Sequence, residues 1–129
     1  MSTQRSMLDS SPDENRPIQL ITENGFSIVR SWEVERVAPP TNGKYLFLVS
    51  APENSEREIA VEVTRKVVLQ ITIRTRGRIQ LQGSFWIYAC ERHLANYLEE
   101  RNGYPPGDKL WIEELDPEDC ILALRWETT

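Results

Sequence analysis

The chain has 129 residues, 40% of them hydrophobic and 27% charged, with a net charge of −5. This balance lies outside the disordered class, and no apolar run approaches the roughly 20 residues that cross a bilayer. A negative total argues against tight, non-specific nucleic-acid binding. Two cysteines, Cys90 and Cys120, are too few for a disulfide framework.

Residues 1–16 are rich in Ser, Asp, Glu and Pro without periodicity, and read as a disordered polar tail with no apolar leader. A single α+β domain is expected over 17–129, in the cytoplasm, where both thiols stay reduced. Ile18 to Ile21 and Phe26 to Val29 flank Asn24-Gly25, a hairpin signal, and the second strand is expected to run on through Trp32 and Val34. Pro39-Pro40 and Asn42-Gly43 force a loop. The continuous apolar run Tyr45 to Val49 then reads as a strand buried on both faces.

From Ile59 the apolar residues keep to odd positions: Ile59, Val61, Val63, Val67, Leu69, Ile71 and Ile73, with Arg65 out of place. A slip of one residue would flip every side chain, so the shared parity predicts one long strand over about 58–75, bent at Arg65-Lys66. Arg76-Gly77 then reverses the chain into a strand carrying Ile79 and Leu81. Gln70, Thr72, Arg74, Arg78, Gln80 and Gln82 would form the polar face of this hairpin.

One amphipathic helix is expected over about 84–102, with Ser84 as N-cap and Gly103 in the left-handed position after its end. Trp86, Ile87, Cys90, Leu94, Tyr97 and Leu98 fall on one arc at 100° per residue. Tyr104-Pro105-Pro106-Gly107 cannot continue the helix, and Leu110 to Leu115 reads as a strand. Asp116-Pro117-Glu118-Asp119 suits either a turn or a helix start with Pro at its first position. The alternation of Cys120, Leu122, Leu124 and Trp126 favours a closing strand. The expected fold is a mostly antiparallel sheet of about six or more strands under a single helix.

Cys90 and His93, three apart on a helix, are the only candidate reactive pair. A structural zinc site wants four ligands, and one His with two Cys falls short. A nucleophilic Cys90 would need His93 as its base, but the thiol sits in the middle of the buried arc. Gly-rich phosphate loops, nucleophile elbows and zinc-protease motifs are absent from the sequence, and no catalytic residue, cofactor or metal is assigned.

The expected function is therefore a non-enzymatic protein-binding module: an adaptor, a small subunit, or an inhibitor of a larger complex. Four Trp and four Tyr are generous for this length, and such residues anchor interfaces. Trp111, Trp126, Tyr88 and Phe85 are the candidate contacts, with another protein or a second copy of the chain as partner and no membrane. The alternative is a nucleic-acid-binding protein gripping phosphates with Arg74, Arg76 and Arg78 at the hairpin tip and Arg65-Lys66 nearby. A small enzyme built on Cys90 and His93 stands third. Six basic residues against two acidic ones between Arg57 and Arg78, and seven acidic against two basic from Tyr104 onward, make the chain electrically lopsided.

Overall fold

A computed structural model describes residues 18–81 and 83–126. The tail over 1–16 and the polar-face residue Gln82 lie outside the described residues. Strands β1 (Gln19–Ile21), β2 (Ser27–Arg30), β3 (Lys44–Ser50) and β4 (Glu56–Val63) form an antiparallel meander. Strand β5 (Lys109–Ile112) adds to β4 in parallel, giving a five-stranded mixed sheet in the order β1-β2-β3-β4-β5. A parallel neighbour needs a crossover. Here the crossover contains two helices, α2 (Arg65–Arg74) and α3 (Ser84–Arg101). A short helix α1 (Ser31–Glu35) follows β2, and α4 (Pro117–Arg125) closes the described chain. The fold is α+β and mostly antiparallel, with five strands rather than six or more and four α-helices rather than one among the described residues.

The core lies on one face of the sheet. Ile28, Tyr45, Phe47, Val49, Ile59, Val61, Val63 and Ile112 point into it from four strands. In β3 the alternate residues Leu46 and Leu48 are only half-buried, so this strand is fully covered on one face, not on both. Helix α3 lies over β4 and β5 and brings Phe85, Trp86, Ile87, Ala89, Cys90, Leu94, Ala95 and Leu98 into the core. Each large side chain so buried stabilises the fold by about 2 kcal/mol. Its ends differ slightly from expectation. Gly83 occupies the N-cap position, Ser84 Oγ instead accepts from Trp126 Nε1 at 3.1 Å, and the left-handed residue at the C-cap is Asn102, with φ 52°.

Four predicted strand segments take other forms. The predicted long strand over 58–75 breaks at Thr64, which caps α2 by accepting from Val67 N, so Arg65-Lys66 is a helix start rather than a bend. Helix α2 buries Val67 and Ile71, four apart, and leaves Leu69 and Ile73 outside. The chain does reverse after Arg74, through Arg76 (φ 53°) and Gly77 (φ 78°), but no strand follows; Ile79 and Leu81 pack on the core from a loop. The predicted closing strand over 116–126 is α4. There Asp116 caps Asp119 N at 2.8 Å while Asp119 accepts from Asp116 N at 3.1 Å, a reciprocal pair at a helix N-terminus. The predicted extension of the second strand through Trp32 and Val34 is α1, which folds Trp32 inward against Tyr45 and Phe47.

Candidate functional site

Cys90 and His93 share helix α3 but belong to different surroundings. Cys90 is fully buried; burial, and behind it the charge of Asp119, pushes its thiol far above the usual range. A thiol held protonated in this way is a small hydrophobe. The His93 ring points elsewhere, its Nε2 lying 2.9 Å from Asp119 Oδ2.

That aspartate is the centre of a cluster no sequence pattern singled out. Asp119 is fully buried on the first turn of α4. Arg92, next to His93 on α3, pairs with Asp119 and reaches Asp116 at 3.4 Å and Glu118 at 3.5 Å. Burial alone would raise the Asp119 carboxyl; the hydrogen bond and charge of His93, the backbone of Asp116 and the charge of Arg92 bring it below the usual carboxylate range. Ligand atoms of His93, Asp116 and Asp119 lie within 4.8 Å of one another, near enough in principle for a metal. The Arg92 guanidinium already supplies the positive charge these carboxylates need, against the same Asp119 that a cation would claim. The cluster therefore works as a clasp, fastening α4 to α3. A second clasp holds the other side: Arg30 bonds Glu91 through both Nε and Nη2, each at 3.2 Å, with Glu91 buried on α3.

The candidate aromatic contacts scatter. Phe85 lies inside the protein, edge-on to Trp86 and Trp126. Tyr88 is exposed and rests on Trp126, with ring centroids 5.7 Å apart. Trp111 stands exposed on β5, with Lys109 Nζ 4.3 Å from its ring centroid. Trp111 and the Tyr88–Trp126 pair thus arise from different elements.

The five candidate basic residues do not form a hairpin tip. Arg65 and Lys66 start α2, Arg74 ends it, and Arg76 sits in the following turn. The two ends are nine residues apart, or about 13 Å at 1.5 Å per residue. Arg78 is spent within the fold: it donates to Trp126 O, to Ala123 O at 3.1 Å and to Leu124 O at 3.3 Å, capping the open carbonyls at the end of α4. Among the described residues, Arg57–Asp108 is the one ion pair joining a base of 57–78 to an acid of 104–126. None of Arg65, Lys66, Arg74 and Arg76 has an ion-pair partner there.

What the structure does gather is aliphatic. Helices α2 and α4 pack on each other, and Arg78, four residues beyond α2, ties their C-terminal ends together. Leu69 is 57% exposed and Ile73 67% on α2, and Ile121 52% and Leu124 55% on α4. Single exposed aliphatics are ordinary; here four stand on two helices that pack together. The signal was present in the sequence. These four are the residues in excess of what a core-facing helix needs, and three of them (Leu69, Ile73 and Leu124) made both segments read as strands.

No protein-family model matches the chain, and comparison with curated proteins and with solved structures likewise finds no match.

Proposed function

We propose that this chain is a non-enzymatic, cytoplasmic protein-binding module, an adaptor or small subunit that docks a larger partner through the outer face of α2 and α4. The observation carrying this reading is the set of four exposed aliphatic side chains, Leu69, Ile73, Ile121 and Leu124, on two helices that pack together. Leaving them in water has no benefit for the isolated fold, and covering them would remove apolar surface worth about 25 cal/mol per Å². Exposed Tyr88 rests on Trp126 at the C-terminal end of α4, and interfaces are enriched in aromatic residues. Two free thiols fit a reducing compartment, and no described helix is long and apolar enough to cross a membrane. The buried, protonated Cys90 and the engaged His93 offer no nucleophile paired with a free base.

The test is retention from host lysate by the full chain, run side by side with a Leu69→Ser, Ile121→Ser variant. A stoichiometric protein held by the wild type after nuclease treatment and lost by the variant supports docking on this face. Equal retention by both proteins sinks it. The second reading, nucleic-acid binding through Arg65, Lys66, Arg74 and Arg76, draws on the lack of internal partners for these cations. It predicts capture that nuclease abolishes and that weakens steeply with salt.

A further inference from the structure

The face of α2 and α4 has a charge as well as an apolar centre. Taking it as the docking site proposed above, that charge specifies the partner. Arg65 and Lys66 stand exposed at one end of α2, Arg74 and Arg76 at the other, with Leu69 and Ile73 between them. By contrast Arg30, Arg57, Arg92 and Lys109 each have a carboxylate partner. The chain has twenty acidic residues against fifteen basic ones, so carboxylates are not scarce. Among the described residues these four cations have none, as is also true of Arg36, Lys44, Arg101 and Arg125; what sets the four apart is their place on one helix and its following turn, flanking exposed Leu69 and Ile73.

Their placement at the start of α2 is also unfavourable for the free protein. A helix N-terminus is the positive end of the macrodipole and favours acidic residues in its first turn. Helix α4 follows that rule, with Glu118 and Asp119 in its first turn and Arg125 in its last. Helix α2 breaks it: its first turn has no acidic residue and carries Arg65 and Lys66 instead. Carboxylates brought in from outside would meet both the side-chain cations and the helix end.

We propose that the α2–α4 face binds an acidic amphipathic helix of a partner protein. Its apolar residues, spaced i, i+4, i+7, lie over Leu69, Ile73, Ile121 and Leu124. Its carboxylates, about nine residues apart, meet Arg65 and Lys66 at one end and Arg74 and Arg76 at the other. A helix fits because the surface is that of two packed helices, whose outer side accepts a third by ridge-into-groove packing; strand addition needs a free sheet edge. A nucleic acid would seek aromatic stacking or an uninterrupted cationic track, and here the aliphatic residues separate the cations.

The experiment is a selection from a displayed library of helical peptides on the immobilised full chain near 0.15 M salt. Phosphatidylserine-containing vesicles and a single-stranded oligonucleotide are measured in parallel. Two variants serve as controls: Leu69→Ser with Ile73→Ser, and Arg65→Glu with Lys66→Glu. The expected winners carry Asp or Glu on both flanks of an apolar stripe. They should lose about tenfold or more in affinity on the charge-reversed variant, and more on the serine variant. The charge-reversed protein should at the same time melt about 2–4 °C higher, because acids now sit at the helix N-terminus. That opposite movement of stability and binding is one a purely structural role for Arg65 and Lys66 would not produce. Winners without acidic excess, bound equally by the charge-reversed protein, overturn the acidic-partner proposal and leave docking on this face standing. Binding indifferent to Leu69 and Ile73 overturns both. Tighter binding to vesicles or oligonucleotide than to any selected peptide, lost on charge reversal, overturns the acidic helix in favour of those ligands.

Discussion

Helix α3 and the α2–α4 pair are built from similar residues and put them to opposite uses. Along α3 the large apolar side chains other than exposed Tyr88 and half-buried Tyr97 face inward: Phe85, Trp86, Ile87, Leu94 and Leu98 are all buried, and its charged residues Glu91 and Arg92 serve as clasps to neighbouring elements. On α2 and α4 only Val67, Ile71 and Ala123 are buried hydrophobics, while Leu69, Ile73, Ile121 and Leu124 face water. One helix spends its hydrophobicity on the fold, and the other two hold part of theirs in reserve. The difference separates residues that stability explains from residues that it does not.

The largest expected effects lie on the α3 side. Leu94→Ala removes a fully buried side chain over the sheet and should cost about 3 kcal/mol, whereas Leu69→Ala on α2 should cost less than about 0.5 kcal/mol. Urea unfolding of the two variants checks this, and near-equal costs would erase the distinction between the helices. Asp119→Ala should cost nearly as much as Leu94→Ala, about 2–3 kcal/mol, because it breaks a buried pair and leaves Arg92 facing an empty site.

The pH dependence of that clasp has a definite sign. The folded Asp119 carboxyl lies below its unfolded value, so the folded state binds its proton less readily. Its contribution is complete above the ordinary carboxylate range near 4 and is lost as pH falls through the folded value. The advantage of wild type over Asp119→Asn, read as the difference in urea midpoint, should shrink as pH falls below about 5. A gap unchanged down to about pH 3 would mean that Asp119 is not held as an anion by Arg92 and His93.

Legibility from sequence follows the same division. The β1–β2 hairpin around Gly25, strand β3, strand β5 and helix α3 were readable because buried residues there set the pattern and turn chemistry marks the ends. The α+β class and the antiparallel bias came with them. Helices α2 and α4 were misread because periodicity counts apolar residues without knowing which are buried. Leu69 and Ile73 alternate with Val67 and Ile71 to mimic a strand, and Val67, Val68, Ile71, Thr72 and Ile73 are β-branched, the composition strands prefer. Tertiary packing of Val67 and Ile71 on the core overrode that preference. On α4 the start signal was visible in Asp116-Pro117-Glu118-Asp119, but the alternation through Leu124 and Trp126 outweighed it. The Arg92–Asp119 clasp was invisible for another reason: its partners are 27 residues apart, and nothing local announces a pairing across a connector and a strand.

The caps offer a sharper comparison within the pair. Asp116 and Asp119 cap α4 reciprocally at 2.8 and 3.1 Å, while Thr64 reaches Val67 N on α2 at 3.5 Å. Asp116→Ala should therefore cost about 1–2 kcal/mol and Thr64→Ala about 0.5 kcal/mol. Amide exchange along each helix resolves the two effects: protection in the first turn should fall in α4 for the first variant and only slightly in α2 for the second. Equal losses would mean that α2 is held by its N-terminal cap and not by Val67 and Ile71.

A small change in stability is expected at the residues assigned the largest part in function. Leu69→Ser with Ile73→Ser places hydroxyls where the aliphatic side chains already meet water, so no cavity forms and no buried polar group is created. Serine is a slightly poorer helix former than leucine, which sets a ceiling of about 0.5 kcal/mol per site and a melting shift of about 2–4 °C for the pair. Unfolding of this variant, or a cost approaching that of Leu94→Ala, would place these side chains in the core after all and remove the basis for a docking face. A near-silent change, together with loss of the captured partner, would show that α2 holds its aliphatic residues for something outside the chain. Ile121→Ser with Leu124→Ser should give the same result from the other helix, and a partner lost only from the α2 variant would confine the contact to α2 alone.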